Sequence, residues 1–162
     1  MAEKFVAVIV GSRSDLEVVE RATGLLAKLG VPHELRVISA HRAPDLLARY
    51  LDEATQRGAS VFICAAGLAA HLPGVVASRT TLPVIGLPMP GQLAGGLDAL
   101  LAIVQMPRGV PVATVGVGMA ENAAILAAQI LGLGDETIAR AVADHRAEGR
   151  RQIEQDPTNQ SG

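Results

Sequence analysis

HELRVISAHRAPDLLARYLDEATQRGASVFICAA, residues 33–66, holds the pattern that decides the fold. Residues 34–39 read as a strand, with the β-branched pair Val37 and Ile38 near its end. Residues 44–58, PDLLARYLDEATQRG, read as an amphipathic helix with Pro44 at its first position and Asp45 complementing its dipole. Residues 60–66, SVFICAA, are a near-continuous apolar run, the mark of a strand buried on both faces. A strand, a crossover helix and a second buried strand make a parallel pair.

The same alternation runs outward in both directions. Strands are expected at 5–10, 82–88 and 110–117, and helices at 14–30, 72–80, 97–106, 121–131 and 135–155. The reading is an α/β fold. It is a three-layer sandwich with a central five-stranded parallel sheet, flavodoxin-like order 2-1-3-4-5, and an extra C-terminal helix. One domain spans 1–162, with a core over about 5–133, the last helix over about 135–155 and a frayed tail at 156–162.

Composition narrows the function. Net charge is −2 and there are only three aromatic residues, Phe5, Tyr50 and Phe62. Neither a basic footprint nor a base-stacking platform is present, so no nucleic-acid partner is expected. The one cysteine, Cys64, excludes an internal disulfide and a Cys-rich zinc site. The four histidines, at 33, 41, 71 and 145, have no metal-ligand spacing, so no metal site is expected. MAEKFVAVIVG reads directly as a first strand, and no apolar run is long enough to span a bilayer. No membrane partner and a cytoplasmic location follow as expectations. Hydrophobic content of 49% in a short chain predicts burial against copies of itself.

Open parallel sheets bind ligands beyond the carboxyl ends of their strands, near the switch point. For order 2-1-3 that means the turns after the first three strands. Turn one is GSRSD, 11–15. Ser14 and Glu17 have capping-box spacing. A helix start with serine hydroxyls is also an anion site, and Asp15 is suited to a ribose diol. Turn two contains Ser39, His41 and Arg42. An arginine at a helix N-terminus opposes the dipole unless an anion lies between. His41 is the only nearby side chain that titrates near neutrality, which makes it the candidate proton carrier. Two solvated polar residues in a loop would look the same from this turn alone. Turn three, CAAGLAAHLPG (64–74), puts seven small or apolar residues before His71. Such a loop lets a flat ligand approach the backbone and leaves the pocket dry; a strand end under a helix, with His71 as its cap, is the plainer alternative.

Other signals are weak. GVGMAE (116–121) begins like a dinucleotide fingerprint but lacks its third glycine and acidic partner. The four alanines at 123, 124, 127 and 128 suit close helix packing, within one subunit or between two.

Together, GSRSD, SAHRAP (39–44), AAGLAAHLPG (65–74), LLAIVQMPRGVPVATV (100–115) and NAAILAAQIL (122–131) resemble the N5-carboxyaminoimidazole ribonucleotide mutase family of purine synthesis. The resemblance implies an isomerase that moves a carboxylate from the exocyclic nitrogen of its ribonucleotide to ring carbon C4. It implies no cofactor, and a homo-octamer with sites at subunit junctions. It implies Ser12 and Arg42 on the phosphate with help from Ser14 and Ser39, and Asp15 on the ribose. It makes His41 the general acid and base, and puts Gly67, His71 and Leu72 around the ring and the migrating CO2. The loop 105–109 is expected beside a neighbouring subunit's site. Ala43 stands where a capping threonine is common, and Leu68 replaces the second glycine of a frequent Gly-Gly pair. The loop after strand five is about two residues short. A sister branch, which carboxylates aminoimidazole ribonucleotide directly as a lyase, usually reads SAHK and AGRSN; SAHR and AGLAAH favour the mutase. A non-catalytic nucleotide-binding module is the third reading.

Overall fold

The structure, a computed structural model, describes residues 4–159. Five strands form one sheet: β1 (Phe5–Val10), β2 (His33–Val37), β3 (Ala59–Ala66), β4 (Val84–Pro88) and β5 (Ala113–Thr114). Every pairing is parallel and the order is β2-β1-β3-β4-β5. The helices are α1 (Leu16–Lys28), α2 (Pro44–Arg57), α3 (Leu72–Ala77), α4 (Leu97–Val104), α5 (Ala120–Gly132) and α6 (Glu136–Glu154). The expected fold class, strand order and extra helix are all found.

Strand periodicity explains the three layers. Val6, Val8 and Val10 of β1 point to one face and pack with α1, α5 and α6; Ala7 and Ile9 point to the other and pack with α2, α3 and α4. The α5 alanines settle where their surface goes. Ala120, Ala123, Ala124, Ala127 and Ala128 are fully buried within this one chain. On the other face Gly86 brings α4 close to β4, since a Cβ there would stand 2.9 Å from Val112 Cγ1 and overlap Ile103 Cγ2. At the β2 edge, Tyr50 Oη donates to Glu34 at 2.8 Å and Arg57 pairs with the same carboxylate at 2.5 Å.

Three details depart from expectation. β5 is two residues long rather than the eight of 110–117. It is an edge strand, Pro111 has no N–H to offer, and Gly118 at φ +70 turns the chain away. The Ser14–Glu17 capping box does not form. Residues Arg13–Asp15 make a 3-10 turn capped by Ser12, so α1 begins at Leu16 with Asp15 at its N-cap and no side-chain cap bond. In the C-terminal tail, residues Pro157–Asn159 make a 3-10 turn, and 160–162 lie outside the described residues.

Candidate active site

Four successive turns at the carboxyl ends of β2, β1, β3 and β4 enclose a cavity of about 490 Å³. Every residue expected at the site lines it: Ser12, Ser14, Asp15, Ser39, His41, Arg42, Gly67, His71 and Leu72.

The first two turns make its polar end. Ser12 Oγ accepts from Ser14 N at 3.3 Å, and the two serine oxygens stand 2.9 Å apart. Ser14 Oγ is also 3.1 Å from Asp15 Oδ1. Ser12 caps the 3-10 turn, Ser14 caps no helix, and both residues line the cavity. In turn two, Ser39 Oγ accepts from Arg42 N at 3.3 Å. Arg42 Nη2 then donates to Gly11 O at 3.0 Å, which ties the second turn to the first. One bond leaves most of the five guanidinium donors for a ligand. Arg42 is the one Lys or Arg among the lining residues, Asp15 the one carboxylate. The start of α2 beside them has Ala43 at its N-cap and no side-chain cap bond, so its first N–H groups favour an anion.

The third turn makes the apolar wall. Ala66, Gly67, Leu68 and Ala69 line it. Two tight bonds, Ala70 N to Leu68 O at 2.8 Å and His71 N to Ala69 O at 2.7 Å, curl the chain into α3. His71 occupies the N-cap of α3 yet makes no side-chain cap bond, so capping does not explain it. Its Nδ1 lies 2.9 Å from His41 Nε2, with the rings edge to face at 87° and centroids 5.0 Å apart. His41 is therefore not the only imidazole at this point, as the sequence suggested; two stand together. One nitrogen donates and the other accepts, so the tautomer of one ring is coupled to that of the other.

Sequence reasoning missed the fourth wall, Met89, Pro90 and Gly91 after β4. The signal was available in the strand order, because β4 adjoins β3. Residues 105–109 do not line the cavity of their own chain. Among the described residues no group of three or more His, Cys, Asp or Glu side chains is placed to hold a metal. Cys64 is fully buried and burial pushes its thiol pKa well up, leaving it inert.

The cavity thus joins an end that holds Arg42 and three serines, a pair of histidines and a carbon-lined wall. The family model described as AIR carboxylase matches residues 5–152. The chain belongs to the AIR carboxylase family. Two of its relatives carry the name N5-carboxyaminoimidazole ribonucleotide mutase. That of Bacillus subtilis is 50% identical over 152 residues, 93% of each chain. That of Saccharolobus solfataricus is 56% identical over 128 residues, 79% of this chain and 81% of its own. The crystal structure of Treponema denticola PurE superposes with a TM-score of 0.88 at 28% identity, covering 98% of this chain and 99% of that one. This AIR carboxylase family member therefore shares both its sheet and its length with established relatives.

Proposed function

We propose that this chain is an isomerase of de novo purine biosynthesis that converts N5-carboxyaminoimidazole ribonucleotide to 4-carboxy-5-aminoimidazole ribonucleotide. The observation that carries the reading is the single cavity holding Arg42 and three serines at one end and His41, paired with His71, against the Ala-Gly wall. Relatives named as this mutase, about half identical over most of the chain, support it.

The chemistry follows from those groups. Ser12, Ser14, Ser39 and Arg42 hold the phosphate, and Asp15 accepts from the ribose hydroxyls. Binding energy from this remote end fixes the ring at the third turn. His41 protonates the carbamate nitrogen, the N–C bond breaks, and CO2 leaves. The amine restored to the ring makes C4 enamine-like and nucleophilic. C4 attacks the same CO2, and His41 takes the C4 proton as the ring recovers its aromaticity, so one imidazole lends and regains one proton. The 2.9 Å bond from its Nε2 to His71 orients the His41 ring for this proton transfer. Gly67, Leu72 and the alanines around them exclude water, so CO2 remains at high effective concentration beside C4.

The chain works as one domain over 1–162 and as a homo-octamer in the cytoplasm. Leu97, Leu101 and Val104 on the outer side of α4, each 46–47% exposed, supply an apolar face for assembly. No described helix is long and apolar enough to cross a membrane.

The test is substrate choice. Purified protein receives N5-carboxyaminoimidazole ribonucleotide in CO2-depleted buffer, and separately aminoimidazole ribonucleotide with bicarbonate. Fast conversion of the first, with the second efficient only at high bicarbonate, is expected. The reverse pattern identifies a direct carboxylase. His41→Asn is expected to fold, bind nucleotide and lose turnover; near-normal activity would remove His41 from the mechanism.

A further inference from the structure

Leu68 is out of place by backbone criteria. It sits at φ +55, where a Cβ crowds the carbonyl that follows and glycine is at ease. Its side chain is 72% exposed, so burial does not offset the strain. Strain kept without burial points to a task at a functional site. The position fits that reading. Leu68 lines the cavity on its apolar wall, one residue past the point where the β3 and β4 turns meet, a Cβ on Gly67 being 3.3 Å from Met89 Cβ. Its carbonyl is occupied by Ala70 N, so the backbone holds the curl that delivers His71 whatever the side chain does. The isobutyl group is left over, standing at the rim of the wall.

CO2 is small and carries no charge, and little but exclusion of water keeps it from diffusing away. We propose that the Leu68 side chain gates the apolar wall, closing over the bound ring and retaining the CO2 released there. The proposal rests on the mutase reading above. A ring filling the cavity brings apolar surface against an exposed leucine, and the hydrophobic effect then closes the gate. Because neither phosphate nor proton chemistry involves this group, its removal affects CO2 retention rather than nucleotide binding.

The test uses substrate labelled with carbon-13 in the carbamate, in buffer holding unlabelled bicarbonate. Mass spectrometry of the product's C4 carboxylate reads the label lost, corrected for uncatalysed decarboxylation. Wild type is expected to retain most of the label. Leu68→Ala and Leu68→Gly, which remove three and four carbons, are each expected to raise the lost fraction at least about fourfold, the factor set by one CH2 of apolar burial. Leu68→Gly alone relieves the backbone, so it melts about 3 °C above Leu68→Ala. Equal label retention in all three proteins overturns the gate while leaving the mutase reading in place. Retention unchanged in Leu68→Ala with an altered sedimentation pattern also overturns it, and assigns Leu68 to a contact between copies. A wild-type protein that makes no product overturns the mutase reading and the gate with it.

Discussion

Gly86→Ala tests the packing that places the fourth wall. Gly86 sits mid-β4, and the added Cβ would overlap Ile103 Cγ2 and stand 2.9 Å from Val112 Cγ1. Carbon atoms rest about 3.5–4 Å apart. Val112 must therefore give by more than half an ångström and Ile103 by more than that. Ile103 is fully buried and has no solvent to turn into. Either it leaves its rotamer or α4 lifts from the sheet. Overpacking costs about 1–3 kcal/mol, and two clashes from one methyl group put this change near the top, about 3 kcal/mol. A domain this size loses about 2–4 °C per kcal/mol, so the melting temperature should fall by about 9 °C. Urea unfolding should show a lower midpoint at an unchanged slope. Met89–Gly91 continue directly from β4, so kcat/KM should fall as well. Ile103→Ala should be less damaging in the Gly86→Ala background than alone, by about 1 kcal/mol or more. A Gly86→Ala protein with unchanged stability would refute the reasoning, since it would mean α4 has slack that the geometry denies.

Arg42→Ala should lower kcat/KM about 100-fold, seen mainly as a raised KM, through loss of charge-assisted bonds to the phosphate; a KM at the wild-type value would dismiss Arg42 as anchor. Arg42→Lys should recover only part, because an ammonium cannot bond Gly11 O and a phosphate in the same fork. Glu34→Gln should destabilise by about 1 kcal/mol, a figure reduced for the exposure of Arg36 and Arg57. Bonds from Arg57 first, then Tyr50, hold the Glu34 carboxyl below its ordinary 4.5. A depressed folded value means the contribution is complete above 4.5 and is lost as pH falls through the lower folded value. The gap in melting temperature between wild type and Glu34→Gln should therefore close on acidification below 4.5, and a gap that persists would exclude the ionised carboxylate as its source.

The sheet was legible because its strands are short apolar runs separated by periodic helices, and order 2-1-3 then pointed to the turns that carry the site. What sequence did not reveal is contact between turns. His41 and His71 are thirty residues apart, on turns after β2 and β3, and these strands do not touch: β1 lies between them. The gap is two strand spacings, about 10 Å, which two inward-leaning imidazoles bridge. Arg42 reaching Gly11 O is a contact of the same kind. The lost capping box shows the opposite failure: Ser14 and Glu17 have the right spacing, but the 3-10 turn moves the cap to Ser12. Met89–Gly91 gave no signal in the sequence because its residues carry no chemistry of their own; their place in the wall comes from their neighbours.

Four walls hang on four adjacent strands, and each wall arises from one strand-to-helix joint. The labour is correspondingly partitioned. In the proposed mechanism, nucleotide grip belongs to the joints after β1 and β2, proton transfer to His41 of the second joint with His71 of the third beside it, CO2 handling to the joint after β3, and the lateral boundary to the joint after β4. A substitution in the third joint changes the surface facing the ring while the serines, Arg42 and the ladder beneath stay in place. The sheet acts as a chassis on which each wall is a separately mounted part.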